Sequence, residues 1–256
     1  MLHRAETLKG FKLDCIGGEE IGRIKEFYFD DHHWAIRYLI ADTADWLAGR
    51  KVLISPYALG AVIAEKQHIT IDLTKKQMED SPSLTSDKPL SRQFEESYYG
   101  YFGWPKYWSG QYMWGAYPRI VRDREKLKEY TEGETAWDPH LRNTHEVTGY
   151  HIQAVDGEIG YVEDFIIDDE TWAIRYLLIN THNWLPLKKV LVSPQWIERV
   201  GWDDKKVFVN LSRDTVKQSP EYTEEFLLTR DYETKLFGHY NRQGYWVEEP
   251  VKVTAH

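Results

Sequence analysis

One cysteine in 256 residues removes two classes of explanation at once. Cys15 has no partner in the chain, which excludes an intrachain disulfide and any multi-cysteine metal site and fits a reducing compartment. No apolar run approaches the ~20 residues that a membrane-crossing helix needs, and the opening MLHRAETLKG carries no hydrophobic signal region. The expectation is a cytoplasmic protein without membrane insertion. Positive charge is also scarce. Lys and Arg number 32 against 41 Asp and Glu, a net charge of −9, so the whole-chain field repels phosphate backbones and anionic lipids. The densest basic stretch, Arg122, Arg124, Lys126 and Lys128, is interleaved with Asp123, Glu125 and Glu129, the pattern of a solvated helix face. Nucleic acid is therefore not an expected partner. The chain also lacks a nucleophile elbow, a phosphate loop and a dinucleotide glycine pattern, since Gly17-Gly18 opens neither a helix nor a strand-to-helix turn. No cofactor is expected, and the chain is not read as an enzyme.

What the chain has in quantity is aromatic rings, with eleven Trp and seventeen Tyr, and internal order. Residues 21–56, IGRIKEFYFDDHHWAIRYLIADTADWLAGRKVLISP, align with residues 159–194, IGYVEDFIIDDETWAIRYLLINTHNWLPLKKVLVSP, at a constant shift of 138, and about half the pairs are identical. The shift persists through Leu73 and Leu211, Ser81-Pro82 and Ser219-Pro220, Arg92 and Arg230, Glu95 and Glu233, and ends at Trp108 and Trp246. Cys15 falls opposite Ala154, which reads as a small buried apolar position. The domain reading is a first repeat with helical tail at 1–108, an aromatic and charged linker at 109–140, and a second repeat with helical tail at 141–256.

Each copy alternates with a period of two. Trp34, Ile36, Tyr38 and Ile40 fall on one face and Ala35, Arg37, Leu39 and Ala41 on the other, a strand covered on both sides. The apolar run Ile24 to Phe29 reaches it through Asp30-Asp31-His32-His33, and Asp168-Asp169-Glu170-Thr171 is the matching turn. Lys51 to Ser55 reads as a strand stopped by Pro56, and Ile69 to Leu73 as a later one. Short strands so spaced favour a small barrel over a parallel α/β sheet. Thr74 with Gln77 has capping-box spacing for a helix ending near Ser81-Pro82. A second helix follows, capped by Ser91 or Thr229, with Phe94, Tyr98, Tyr101 and Phe102 as its apolar stripe in the first copy and Tyr232, Leu236 and Tyr240 in the second.

The run D-G-E-I-G-x-V-x-D-F-x-x-D-D-x-x-W-x-I-R-Y-L at 156–177, looser at 17–39, with the following T-x-x-W-L and K-V-L-[IV]-S-P, resembles the PRC-barrel family. The resemblance implies a mainly β fold, here two small β-barrels related by internal duplication, each of about half a dozen strands and each followed by a short helical tail. The family includes the cytoplasmic part of the photosynthetic reaction-centre H subunit and the C-terminal half of the ribosome-maturation factor RimM. It therefore implies a barrel that binds another protein. Three functions are carried forward. The first is a non-enzymatic binding or scaffolding module with an unidentified protein partner. The second is an accessory subunit of a membrane electron-transfer complex, peripherally associated and passing protons. The third is an enzyme with a carboxylate pair at the seam of the barrels. A homodimer through the tail helices is a further expectation.

The candidate residues carry structural readings beside chemical ones. Asp30-Asp31 and Asp168-Asp169 fit turn-forming aspartates before they fit an acid–base pair. Arg37 and Arg175, mid-strand among apolar neighbours, call for carboxylate partners and are read as structural ion pairs. Asp42 and Asp45 become Asn180 and Asn183, which points to a conformational rather than a general-base role. His140, His145 and His151, and the adjacent His32-His33, lack the convergence of a zinc site, so no metal is expected. The segment 98–117, YYGYFGWPKYWSGQYMWGAY, is read either as packing or as an exposed patch in which Trp104, Tyr107, Trp108 and Trp114 meet a partner.

Overall fold

The computed structural model describes residues 1–43, 47, 52–82, 92–104, 106–108, 141–181, 188–224 and 228–247, the side chains of 92 and 93 excepted. The chain is mainly β. In order the elements are β1 (Leu2–Arg4), α1 (Ala5–Leu8), β2 (Lys12–Asp14), β3 (Glu20–Asp30), β4 (Ala35–Asp42), β5 (Val52–Ile54), β6 (Leu59–Ile63), β7 (His68–Ile71), α2 (Lys75–Glu79) and α3 (Arg92–Phe102). There follow β8 (Leu141–Asn143), α4 (Thr144–Val147), β9 (His151–Ala154), β10 (Gly157–Asp168), β11 (Ile174–Asn180), β12 (Lys189–Val192), β13 (Ile197–Gly201), β14 (Lys206–Val209), α5 (Arg213–Gln218) and α6 (Arg230–His239).

The strands form two sheets of seven. One has the order β5-β4-β3-β2-β7-β6 with β8 added on β3, and the other β12-β11-β10-β9-β14-β13 with β1 added on β10. The ladders β2–β3, β3–β4, β4–β5, β6–β7, β3–β8, β9–β10, β11–β12 and β13–β14 are antiparallel, while β2 with β7 and β9 with β14 run parallel. Among the described residues β5 does not pair with β6, nor β12 with β13, so each ladder is open at two ends rather than closed by hydrogen bonds as a barrel would be. The seventh strand in each sheet was not expected from the sequence. Three residues with no fully buried member, such as Leu2–Arg4 or Leu141–Asn143, leave no periodic signal.

The chain divides into two compact units. Unit 1 comprises Met1, His3–Thr148 and Asp164–Tyr176, and unit 2 comprises Leu2, Gly149–Glu163 and Leu177–His256. In unit 1 the core is built on β3 and β4, where all seven residues from Ala35 to Ala41 are buried, and Phe27, Phe29 and Leu59 close it. In unit 2 Ile152, Ile159, Val162, Leu178, Val190 and Val207 do the same. Cys15 and Ala154 are both buried. Burial of this apolar area, worth roughly 25 cal/mol per Å² removed from water, is what holds such sheets.

The glycines of the I-G pair mark where β3 and β10 bend. Gly22 and Gly160 have φ of +143° and +142°, and a Cβ on either would lie 2.1 Å from the backbone oxygen of Asp42 or Asn180. The strands adjoin too closely there for any side chain. This gives the Asp42–Asn180 exchange its explanation: the shared contribution of the two positions is a backbone carbonyl, which either residue supplies.

The helices begin where expected and turn a partly different face inward. Thr74 and Gln77 form the capping box of α2, and Thr229 accepts a hydrogen bond from the Tyr232 amide at the start of α6, while Ser91 lies outside the described residues. The buried face of α3 is Glu95, Tyr98 and Tyr99, with Tyr101 exposed, and that of α6 is Glu233, Leu236 and Phe237. Of the expected stripes Tyr98, Leu236 and Tyr240 are buried, Phe94, Phe102 and Tyr232 are half-buried, and Tyr101 is exposed, while Glu95, Tyr99, Glu233 and Phe237 are buried without having been expected. A hydropathy pattern does not turn a glutamate inward, and here one is fully buried in each helix because hydroxyl donors meet it.

Candidate functional site

The densest chemistry in unit 1 lies where α3 covers β4 and β5. Glu95 is buried, and its Oε1 accepts a hydrogen bond from the Tyr38 hydroxyl at 2.8 Å and another from the Tyr107 hydroxyl at 2.5 Å. The guanidinium of Arg37 stands 4.2 Å from the centre of the Tyr107 ring, and its Nη2 donates to Asp30 Oδ2 at 2.8 Å. Asp30 Oδ1 accepts from the amides of His32 and His33 at 2.8 and 3.2 Å, and the His33 ring lies 3.1 Å from Oδ2. A connected series of polar groups thus runs from the β3–β4 turn to the underside of α3. Beside it Tyr98 donates to the Leu53 carbonyl at 2.5 Å, and the Tyr99 hydroxyl pairs with Ser55 Oγ at 3.2 Å.

Ionisation follows from this burial. Desolvation opposes the charged form of Asp30, but the His33 hydrogen bond and the Arg37 charge outweigh it and hold the carboxyl far below the usual aspartate range. Burial pushes Tyr38, Tyr99 and Tyr107 well above the ordinary phenol value, and Tyr57 up to about 12. The phenols are donors at neutral pH, and the carboxylates accept from them and from the cations. Such a set ties the β3–β4 turn, β4 and α3 to one another.

A second cluster in unit 1 lies at the tips of two hairpins. Trp34 and Trp172 hold left-handed backbone, with φ of +54° and +59°, each donating its amide to the aspartate four residues earlier at 2.7 Å. The Ile36 amide donates to the Trp172 carbonyl at 2.8 Å and the Ile174 amide to the Trp34 carbonyl at 2.7 Å, so each strained residue is held by the other hairpin. Phe29 and Phe165 pack alongside at 5.8 Å. Arg175 donates to Asp168 at 2.8 Å, Arg4 to Asp164 at 2.8 Å and Arg142 to Asp31 at 3.1 Å. Asp169 accepts from the terminal amine and pairs with His3 at 2.8 Å, which holds it below the usual range against desolvation. Burial raises Asp164 despite Arg4.

In unit 2 the corresponding helix carries Glu233, buried, accepting from the Tyr245 hydroxyl at 2.8 Å and from Arg230 at 2.9 Å. Trp196 packs on Phe237 and Tyr240 at ring separations of 5.2 and 4.5 Å.

The structure places Arg37 and Arg175 each beside the first aspartate of the preceding turn, 2.8 Å away. Both aspartate pairs split: Asp30 and Asp168 meet these arginines, while Asp31 and Asp169 turn to Arg142 and to His3. For the exposed-patch reading the outcome is a correction. Tyr107 and Trp108 are buried, packed on Tyr99 at 5.8 and 5.2 Å, because Glu95 draws the Tyr107 hydroxyl inward. Trp104 is half-buried, stacked on Phe102 at 4.3 Å, and Trp114 lies outside the described residues, as do Asp45, Asn183, His140 and the linker. Among the described residues no group of three His, Cys, Asp or Glu converges on a metal position, and no helix is long and apolar enough to cross a membrane.

Sequence reasoning missed Glu95 and its two tyrosines, and the Trp34–Trp172 pair. The repeated R-x-[FY]-E of the tails, at 92–95 and 230–233, was the available signal for the first, since a glutamate retained on an aromatic helix face is a sign of a buried acceptor.

Residues 3–78 match the family model for the PRC-barrel domain. An "uncharacterized protein" of Deinococcus radiodurans is 41% identical over 76 residues, which is 29% of this chain and 27% of that protein, so the match spans about a quarter of the relative. The matched residues 3–78 hold β2 to β7, the Asp30–Arg37 pair and the Gly22 bend, and include 17–39, the looser of the two runs that carried the sequence resemblance, while 156–177 lies outside the match. This segment, residues 3–78, is thus similar to the PRC-barrel domain.

Proposed function

We propose that the protein is a non-enzymatic binding module of the PRC-barrel family in which the domain occurs twice by internal duplication, at 1–108 and 141–256, and that it acts in the cytoplasm on a protein partner. The single observation that carries this reading is how the reactive side chains are used. Asp30, Arg37, Glu95, Asp168, Arg175 and Glu233 are each engaged with another side chain of the fold. Such pairs commit these side chains to the framework rather than to a substrate. The 138-residue shift of the sequence and the same strand order in both sheets support the duplication. The family's barrels are in general non-catalytic modules, in keeping with this use of the residues.

The test is affinity capture with the full chain from lysate of its source, followed by cross-linking of any enriched protein. Enrichment of one protein in stoichiometric amount, competed by untagged chain, is the expected result. No specific protein, together with turnover of a small molecule by the purified chain, would reverse the reading.

A further inference from the structure

Two series of closely spaced rings lead from Trp104 to one carboxylate oxygen. Trp104 lies 6.1 Å from Tyr99, and Tyr99 lies 5.8 Å from Tyr107. By the other route Trp104 lies 5.9 Å from Tyr98, and Tyr98 lies 5.8 Å from Tyr38. Both end on phenols that donate to Glu95 Oε1. Packing alone does not ask for hydroxyls and an indole here. Tyr98, Tyr99 and Trp104 stand opposite Leu236, Phe237 and Arg242 in the second copy, where the helix is buried equally well.

A phenol that loses an electron changes from a weak acid to a strong one, so its oxidation in a dry interior depends on a base at the O–H. Tyr98 faces a backbone carbonyl and Tyr99 a serine hydroxyl, neither of which takes up a proton. Tyr38 and Tyr107 face a carboxylate. The Arg37 guanidinium over the Tyr107 ring disfavours positive charge on that ring, which favours departure of the proton with the electron. Burial keeps both phenols protonated at rest, so the proton moves only on oxidation. An indole radical cation is a stronger oxidant than a phenol coupled to a base, and a hole on Trp104 therefore runs inward.

We propose that Glu95, Tyr107 and Tyr38 form a proton-coupled tyrosine oxidation site fed through Trp104, which takes one oxidising equivalent from small diffusible one-electron oxidants of the azidyl radical class. Trp104 gives one electron to the oxidant, which leaves as its anion, and regains it from Tyr107 or Tyr38. The phenolic O–H bond breaks, its proton passes to Glu95 Oε1, and a neutral phenoxyl radical remains beside a neutral carboxylic acid. A one-electron reductant of the ascorbate class restores the phenol, and Glu95 returns the proton. This activity is separate from the proposed binding role and does not depend on it.

Pulse radiolysis of the full chain with azidyl radicals, followed by freeze-quench electron paramagnetic resonance, tests the proposal. The expected result is tryptophanyl absorbance decaying into a long-lived tyrosyl signal at a rate independent of protein concentration. Tyr38→Phe with Tyr107→Phe, which keeps both rings, should abolish the long-lived signal, and Trp104→Phe should slow its appearance. Glu95→Gln should slow the transfer about a hundredfold, the contribution of a positioned base, with a reduced solvent deuterium effect. Where the double variant does not fold, the half-buried Trp104→Phe change decides. An unchanged signal in either folded variant overturns the proposal.

Discussion

The segments 92–108 and 230–246 answer one structural problem, closing a helix over strands, with different chemistry. In the first, Tyr98 and Tyr99 fill the space, and their hydroxyls and those of Tyr38 and Tyr107 are satisfied by Leu53, Ser55 and Glu95. In the second, Leu236 and Phe237 stand 138 positions after Tyr98 and Tyr99, and Trp196 stands at the same shift from Ala58. The buried glutamate is common to both, but Glu95 accepts from buried Tyr107 while Glu233 accepts from half-buried Tyr245 and from Arg230 at the surface. These two helix positions therefore tolerate either a Tyr-Tyr or a Leu-Phe pair beside a buried carboxylate that has donors.

The comparison can be broken most forcefully at the glutamates. Glu95→Ala should cost about 3–5 kcal/mol in urea unfolding, because two buried hydroxyls and the nearby guanidinium lose a buried charge. Glu233→Ala should cost less than Glu95→Ala, because Tyr245 and Arg230 keep access to water once the carboxylate is gone. Equal losses would show that the two linings are energetically the same. A place where the two sheets should agree is the bend: Gly22→Ala and Gly160→Ala should each cost about 3 kcal/mol or more, since both combine a left-handed φ with a backbone clash.

Acid sharpens the comparison next. The folded-state pKa of Asp30 lies below its unfolded value of about 4, so its stabilisation is complete above that pH and drains away as pH falls. Asp164 works in the opposite sense. Its folded value is raised, so its share is present in acid and is lost as pH climbs through that raised value. Unfolding midpoints measured from neutral pH downward should fall for the wild type, and less for Asp30→Asn. The smallest effect should be at the caps, where Thr74→Ala and Ser212→Ala should each cost about 1 kcal/mol by the same measurement, since each side chain accepts from the amide three residues on.

The β3–β4 hairpin, the strand ending at Ser55-Pro56 and the α2 capping box were legible because period, turn aspartates and cap spacing are local signals. Pro56 proved more than a strand breaker: Ser55 caps the short helical turn 56–58 by accepting from the Tyr57 amide. The place of Glu95 on the inward face of α3 was not legible, since its presence inside depends on Tyr107, twelve residues on, and Tyr38, 57 residues back. Nor were β1 and β8, whose partners are distant in sequence and whose own residues show no pattern.

Those added strands bear on how the molecule comes into being. Residues 141–143 pair with β3, and Thr144 donates to Glu26 across 118 positions of chain. During synthesis at roughly 5–20 residues per second, β3 must wait on the ribosome with one flank uncovered until the translation of residue 144 and beyond. The first half of the polypeptide is thus completed by material from the second, and premature termination between the halves would leave an open strand edge able to recruit another nascent chain.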